Sequence, residues 1–223
     1  MPLQKGKKIL IYFFLFLIIG TFNNKNLNNL FFFKINKISV MGLDEKSNFE
    51  LQKELSFLKL NNLFFLNKIK IIEIINSNNL IENFSVSKKY PSSLEIIINK
   101  TDFLAKLKKN NKNFILGSNG KLIESNEYVI DLPFIFGNFE IESFFELKEA
   151  IDKADFDYSK IKNLFFFKSG RWDIETKNGL LIKLPKNELK KTLELYLIFI
   201  SENKKKKIDI IDLRQSNQII ING

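Results

Sequence analysis

The sequence predicts an α+β protein with a single amino-terminal transmembrane helix, then a compact α+β unit, and then a mostly antiparallel β unit with packed helices. Three observations support this fold class. An apolar run follows the first lysines, apolar residues in the next part recur at helical spacing between short strand patterns, and the second half contains repeated hairpin signals. The 223 residues, of which 45% are hydrophobic, have room for a membrane segment and one or two domains.

The amino-terminal segment predicts a membrane anchor. Three lysines precede an apolar run from Ile9 to Phe22, which is shorter than the about 20 residues of a typical span and is therefore also compatible with a cleaved signal peptide. The residues that follow lack the small pair of a cleavage site, which favours the anchor. Because the lysines stay on the cytoplasmic side, we expect a cytoplasmic tail at 1–8, the anchor at 9–22 and an asparagine-rich linker at 23–33.

A first α+β unit is predicted at 34–101, in the order strand, helix, helix, strand, strand. Its first strand runs from Ile35 to Val40. Ser47, followed three residues later by Glu50, has the pattern of a capping box and predicts the start of the first helix. Asn67 is expected to begin the second helix, although the isoleucine-rich run behind it is equally compatible with a strand.

The second unit, predicted at 102–223, is richer in strands. Gly117–Gly120 and Asn178-Gly179 each join two apolar strand patterns, which predicts two hairpins. Asn187 is expected to cap a helix whose leucines form one stripe against the sheet. Two further strands are predicted near the end of the chain, Ile208–Leu213 and Ile219–Ile221.

Catalytic chemistry is not expected from this composition. The chain contains no cysteine and no histidine, which excludes a thiol nucleophile, a thiolate metal site and the commonest general base. A group of three aspartates lacks the glycine bend and terminal glutamate of a calcium loop. A group of three glutamates has nothing that fixes two carboxylates at the separation needed for glycan cleavage. We therefore predict no enzyme activity, no cofactor and no metal site. The two groups, expected at the surface, are Asp152, Asp155 and Asp157, and Glu140, Glu142 and Glu146.

The net charge of +10 does not predict a nucleic-acid partner. The lysines are scattered along the chain and do not form one stripe with interleaved aromatic residues. The run Lys204–Lys207 is compatible with a site for anionic lipid or nucleic acid, but its position before a strand favours a solvated turn that discourages edge pairing.

The aromatic residues give two further expectations. Trp172 alternates with Ile174, which predicts that it packs in the core as part of a strand. The triplets Phe31–Phe33 and Phe165–Phe167 cannot place three consecutive rings on one side of a strand. One ring of each triplet is therefore expected to be covered by the adjacent unit or to be exposed as a contact.

Short motifs follow one another in a characteristic order along the exported chain. They are Ile38–Gly42, Val86–Ile96, the Gly120 hairpin, Leu132-Pro133 with Gly137, Gly170–Asp173, Asn178-Gly179, Leu184-Pro185 and Asp212–Arg214. Their order behind one signal anchor resembles the FtsQ/DivIB family of bacterial cell-division proteins, over essentially the whole exported chain. The first unit looks like that family's POTRA domain and the second like its β domain. Lys100, Phe103 and Gln215 depart from the pattern, since the family often has Glu, Pro and an aromatic residue there.

The resemblance implies a non-enzymatic scaffold of the division machinery. Such a protein would lie in the inner membrane at the septum, with a cytoplasmic amino terminus and a periplasmic bulk, and would link division proteins, among them FtsB and FtsL, through its β domain. An alternative is a POTRA-type periplasmic adaptor in outer-membrane assembly or secretion, although such proteins normally continue into a long membrane domain for which this chain has no room. A membrane-anchored wall hydrolase is opposed by the missing histidine and cysteine.

The carboxyl-terminal strand is the predicted partner site. Its isoleucines are apolar, β-branched and terminal, so no later element in the sequence covers the far side of the strand. A partner strand would pair with this edge while Arg214 pairs with a carboxylate, and the resemblance points to the same region as the FtsB contact. The other interpretation is that the strand only completes the core. The residues predicted to bind the partner are Arg214, Gln215, Asn217, Ile219, Ile220 and Ile221.

Overall fold

The computed structural model divides the chain into two compact units, Met1–Lys100 and Thr101–Gly223. The residues that it describes are 5–22, 33–125, 131–203, 208–215 and 218–222. Each unit is built around its own cluster of buried apolar side chains. The predicted α+β class is confirmed, because helices pack with a small sheet in the first unit and with a large sheet in the second.

The amino-terminal helix, α1, spans Lys5–Phe22 and contains the apolar run. Within the residues that the structure describes, no helix has both the length and the apolar character needed to cross a membrane. The transmembrane anchor at 9–22 is therefore not confirmed and stays a prediction. The linker predicted at 23–33 lies, except for Phe33, outside the described residues.

The first unit has the predicted order of strand, helix, helix, strand and strand. Its elements are β1 Lys37–Met41, α2 Glu45–Glu54, a 3₁₀ helix Leu55–Leu60, α3 Lys68–Ser77, β2 Ile81–Lys89 and β3 Ser93–Lys100. The strand order is β1-β3-β2, with β1 parallel and β2 antiparallel to the central β3. Alternate residues of β3, Leu94, Ile96 and Ile98, are buried in one core with Leu51 of α2 and Ile71 of α3.

Of the two helix starts predicted in the first unit, the first is wrong and the second is confirmed. Asp44 is the N-cap of α2, because its side chain accepts hydrogen bonds from the backbone N–H of Ser47 at 3.0 Å and from the Ser47 hydroxyl at 2.9 Å. The prediction of a capping box at Ser47 is therefore wrong, since the helix already starts at Glu45. Asn67 caps α3 as predicted, and the isoleucine-rich run is a helix and not a strand.

The turn after β1 requires a glycine. Gly42 has a φ of +118°, and a Cβ atom at this position would lie 1.8 Å from the backbone oxygen of Ile98. No L side chain fits so close to a neighbouring strand, so Gly42 ends β1 and turns the chain toward α2.

In the second unit, the described strands form one nine-stranded sheet in the order β12-β11-β10-β9-β8-β7-β4-β5-β6. Five of the neighbouring pairs are antiparallel and three are parallel, as expected for a mostly antiparallel sheet. The elements are β4 Phe103–Lys109, β5 Lys112–Gly117, β6 Leu122–Glu124, β7 Phe134–Phe136, α4 Ile141–Lys153, a 3₁₀ helix Tyr158–Lys160, β8 Ile161–Phe167, β9 Arg171–Thr176, β10 Leu181–Lys183, α5 Leu189–Glu202, β11 Ile210–Asp212 and β12 Ile220–Asn222.

Helices α4 and α5 share the core of the second unit with the sheet. Five strands contribute one row of buried residues in register, and α4 and α5 add side chains such as Phe144 and Leu193. Trp172 is buried in the same core, as predicted. The row consists of Ile135, Leu164, Ile174, Ile182 and Ile211.

Both predicted hairpins of the second unit are confirmed, as β5–β6 and β9–β10. The predicted cap of α5 is wrong. Glu188, and not Asn187, is the N-cap residue, and its left-handed backbone with φ +58° separates Asn187 from the helix. Helix α4, which the sequence pattern did not predict, has its buried side chains at the helical spacings Phe144, Leu147 and Ile151.

Candidate partner-binding site

The last described strand, β12, forms one end of the large sheet. β12 pairs only with β11 among the described strands, in the antiparallel register Ile210↔Asn222, Ile211↔Ile221 and Asp212↔Ile220. The opposite side of β12 is therefore a free edge within the described part of the chain. We call this side the terminal edge.

The backbone of Ile221 points out of the terminal edge. On either side of β11, the carbonyl of Asp209 and the N–H of Leu213 both bond to β10, at 2.9 Å each. By alternation, the backbone groups of Ile210 and Asp212 face β12, and the Asn222 carbonyl faces back toward β11, where it accepts from the N–H of Asp209 at 3.0 Å. The N–H and C=O of the intervening residue, Ile221, therefore face away from the sheet.

The side chains of the terminal strand divide between the core and the surface. Ile219 is half-buried and packs against the core of the second unit. Ile220 and Ile221 are 48% and 44% exposed. Because neighbouring residues of a strand point to opposite faces, an incoming strand would meet an apolar side chain on either face of the sheet.

Arg214 already has a partner within the chain. Its guanidinium holds both carboxylate oxygens of Asp212, with Nε donating at 2.8 and 2.9 Å and Nη2 completing a two-pronged pair. The hydrogen bonds from Arg214 hold the pKa of Asp212 below its usual range, and the same pairing raises the pKa of Arg214. A partner carboxylate would therefore compete with Asp212 or share the guanidinium with it.

An open groove of about 960 Å³ lies between α5 and the carboxyl-terminal segment. Leu195 and Ile198 present exposed apolar side chains on the α5 side. Arg214, Gln215 and Ile219 line the other side. We call this the α5 groove. The structure thus brings three of the predicted partner residues to the same groove.

The remaining predicted partner residues do not line the α5 groove. Ile220 and Ile221 are exposed on the terminal strand, and Asn217 lies outside the described residues. Leu195 and Ile198 were missed, although the sequence contains a signal for them. The leucine stripe assigned to the core leaves these two apolar residues on the other face of the same helix.

The acidic groups considered for calcium binding and for glycan cleavage lie on α4 and directly beside it. Asp152 pairs with Lys148 at 2.6 Å one turn earlier on α4, and Asp157 caps a 3₁₀ helix through Ser159. Glu142 lies in the first turn of α4. Among the described residues, no group of carboxylates has the arrangement of a metal site. The Lys204–Lys207 run is outside the described residues.

Two family models match the two units of the chain. The model described as "POTRA domain, FtsQ-type" matches residues 33–100, and the model described as "Cell division protein FtsQ/DivIB, C-terminal" matches residues 105–214. The chain belongs to the FtsQ/DivIB family. It is thus related to cell-division proteins, and its first unit is of the FtsQ POTRA type.

Individual relatives agree with this FtsQ/DivIB membership. The chain is 33% identical over 107 residues to the cell division protein DivIB of Clostridium botulinum (strain Loch Maree / Type A3), a match that covers 46% of this chain and 42% of that protein. It is 24% identical over 192 residues to the cell division protein FtsQ of Rickettsia bellii (strain RML369-C), covering 85% and 72%. The match therefore spans less than half of the DivIB relative.

One solved structure with similarity is the major extracytoplasmic domain of the cell division protein DivIB from Geobacillus stearothermophilus. The alignment covers 49% of this chain and 99% of that chain, with 13% identity and a TM-score of 0.34.

Proposed function

We propose that this protein is a non-enzymatic scaffold of the divisome that recruits and links septal cell-division proteins. In this proposal its two units are periplasmic, residues 9–22 anchor it in the inner membrane, and FtsB and FtsL are its partners. Membership of the FtsQ/DivIB family supports a role in division. The partners and the anchor belong to the proposal.

The observation that carries the scaffold proposal is the terminal edge. An exposed strand edge with apolar, β-branched side chains favours pairing with another strand, because main-chain hydrogen bonds give affinity and alternate side chains enter pockets. The outward N–H and C=O of Ile221 offer one such pair of bonds. We propose that a segment of FtsB adds a strand here, next to β12.

The α5 groove adds side-chain recognition to the terminal edge. A helix or loop that follows the paired strand would cover Leu195 and Ile198, which are exposed in the free chain. An acidic residue of the partner would meet Arg214 at the lip of the groove, where the guanidinium has five N–H donors and Asp212 uses only some of them. Side chains of this groove would therefore select the partner that the edge holds.

The competing proposal of a secretion adaptor has less support. Its main argument is that POTRA domains can pair with client strands, but the POTRA match of this chain is to the FtsQ type and is followed by the FtsQ/DivIB carboxyl-terminal domain. No specific feature of the described residues favours the adaptor over the division role.

A proline at Ile221 tests the edge. Ile221→Pro removes the outward N–H, whereas Ile221→Ala keeps this donor and removes most of the side chain. Full-length variants would be solubilised in detergent and used to retain FtsB from extracts. We expect Ile221→Pro to retain at least about tenfold less FtsB, and Ile221→Ala to retain an intermediate amount.

Normal FtsB retention by a folded Ile221→Pro variant would exclude strand addition at this edge. The circular dichroism spectrum and Trp172 fluorescence of each variant establish that the second unit is folded before binding is compared. Ile220→Pro is unsuitable for this test, because the N–H of Ile220 faces β11 and its loss would weaken the sheet itself.

A further inference from the structure

Exposed aromatic rings cluster where the chain enters the first unit. The ring of Phe64 lies 4.6 Å from that of Phe33 and 5.2 Å from that of Tyr90, measured between centroids. Phe65 is next in the chain. Tyr90, Phe65 and Phe64 are 58%, 56% and 48% exposed. We call Phe33, Phe64, Phe65 and Tyr90 the aromatic pole.

The backbone that carries the aromatic pole is held in place. The N–H of Leu63 donates to the carbonyl of Phe33 at 2.7 Å, and the N–H of Ile35 donates to the carbonyl of Asn61 at 3.1 Å. The buried side chain of Asn62 accepts from the N–H of Phe64 at 2.9 Å. The rings therefore belong to a fixed surface, and adjacent exposed aromatic residues on a fixed surface indicate a contact.

Lysines border the aromatic pole. The ammonium of Lys88 donates to the backbone carbonyl of Phe64 at 3.2 Å, so its aliphatic stem lies along the cluster. Lys34 follows Phe33, and Lys89 precedes Tyr90. Lys89 pairs with Glu95 at 3.1 Å. Of these four charged residues three are lysines, and this excess of positive charge complements an anionic surface.

The chain length between α1 and the aromatic pole limits their separation. α1 ends at Phe22, and the eleven residues from there to Phe33 span no more than about 40 Å even when fully extended. If α1 is the membrane anchor proposed above, the pole cannot leave the neighbourhood of the membrane surface.

We propose that the aromatic pole docks the first unit on the anionic phospholipid surface of the membrane, an inference that rests on the proposed anchor. The rings lie at the level of the headgroups, where aromatic side chains with a polar rim are favoured, and the lysines face lipid phosphates. Docking sets the orientation of the first unit on the membrane, which a linker of eleven residues alone would leave free.

Site-specific fluorescence quenching tests this docking. The chain has no cysteine, so Phe65→Cys introduces a single position for an environment-sensitive fluorophore. Phe49→Cys is the matched control, because Phe49 is also exposed, at 67%, but lies in the first half of α2. This helix follows Gly42, which lies beside the end of β3, whereas Tyr90 of the aromatic pole precedes the start of β3. Full-length variants are reconstituted into phosphatidylethanolamine and phosphatidylglycerol vesicles that contain a lipid with a headgroup-level nitroxide.

We expect at least about twofold stronger quenching at position 65 than at position 49. The difference should fall when Phe64 is replaced by Ser, and it should disappear in vesicles of phosphatidylcholine alone. Equal quenching at the two positions in chains that float with the vesicles would overturn the docking and leave the anchor intact. A pole that binds a protein and not lipid would give this same equal quenching. Quenching that persists in neutral vesicles would overturn the role of anionic lipid, whereas chains that fail to float would refute the anchor and, with it, the docking.

Discussion

At the residue scale, Trp172 is the largest fully buried side chain of the second unit. Its indole N–H donates to the Ser143 hydroxyl at 3.1 Å, and its rings pack against Phe139, Phe144 and Phe166. One side chain thus joins β9 to α4 and to β8. The sequence predicted the burial from alternation along the strand, but not the partner on α4.

Replacing Trp172 separates its packing from its hydrogen bond. We expect Trp172→Ala to lower the free energy of unfolding of the second unit by about 3–5 kcal/mol, because it leaves a cavity. Trp172→Phe keeps most of the apolar volume and leaves Ser143 without its donor, so it should cost less, about 1–2 kcal/mol. Urea unfolding followed by circular dichroism gives both values. Equal costs for the two variants would contradict the packing role.

Asp173 is a second residue with a testable environment. It is almost fully buried on β9, and the Nε of Arg171 is 3.9 Å away. Its Oδ1 atom accepts no hydrogen bond from the residues that the structure describes. Burial raises the pKa of Asp173 above its ordinary value of 3.8, and the nearby Arg171, Lys183 and Arg214 offset this only in part. The folded chain therefore holds this proton more tightly than the unfolded chain does.

Because the folded-state pKa is raised, the contribution of Asp173 to stability is greatest below pH 3.8 and is lost as pH rises through the folded pKa. Asp173→Asn cannot ionise, so we expect it to be more stable than the parent at pH 7 by about 1 kcal/mol, with the advantage absent at pH 3. Thermal unfolding at both pH values measures this, with the exposed Asp102→Asn as control. A less stable Asp173→Asn at pH 7 would mean that the attraction of Arg171 outweighs burial.

At the element scale, the start of α2 depends on Asp44. Hydrogen bonds from Ser47 lower the pKa of Asp44 below 3.8, so its contribution to stability is present above that pH and is lost as pH falls below it. We expect Asp44→Ala to lower the melting temperature of the first unit by a few degrees at pH 7 and to have a smaller effect at pH 2.5. Glu54→Ala, at the exposed end of the same helix, is the control. An effect of Asp44→Ala that does not change with pH would argue against this cap.

Most elements could be predicted from the sequence, but their ends could not. Asn178-Gly179 specifies the turn of the β9–β10 hairpin locally, so the sequence predicts this hairpin correctly. The spacing of Ser47 and Glu50 predicts a capping box at Ser47, but Asp44 is the N-cap residue in the structure. Glu188 could not be predicted as the cap of α5, because its side chain makes no capping hydrogen bond and its backbone is left-handed, which is uncommon for this residue type.

At the scale of the whole molecule, the two units have separate cores. Leu55 is fully buried in the first, whereas Trp172, the only tryptophan, is buried in the second. Leu55→Ala should destabilise the first unit by about 2–5 kcal/mol and leave the midpoint of the Trp172 fluorescence transition unchanged. Urea titration with fluorescence and circular dichroism recorded together distinguishes the two transitions. A shift of the fluorescence midpoint equal to that of the first unit would show a single cooperative transition.

The candidate site was predictable in part. The terminal position and composition of Ile219–Ile221 predicted an edge, and the structure places β12 at the end of the described sheet. The direction in which Ile221 points could not be predicted, because it depends on the register between β10, β11 and β12. The pairing of Arg214 with Asp212 was also missed, although side chains two residues apart in an extended segment lie on the same face.

The most direct test of strand addition is amide hydrogen exchange at Ile221 in the full-length protein, with and without bound FtsB. In the free chain this N–H faces out of the sheet and should exchange rapidly, and strand addition should slow it by at least about tenfold. The amide of Leu213, bonded to the Lys183 carbonyl at 2.9 Å, is the internal control and should exchange slowly in both states. Unchanged exchange at Ile221 while FtsB stays bound would contradict the proposal that β12 holds its partner through the terminal edge.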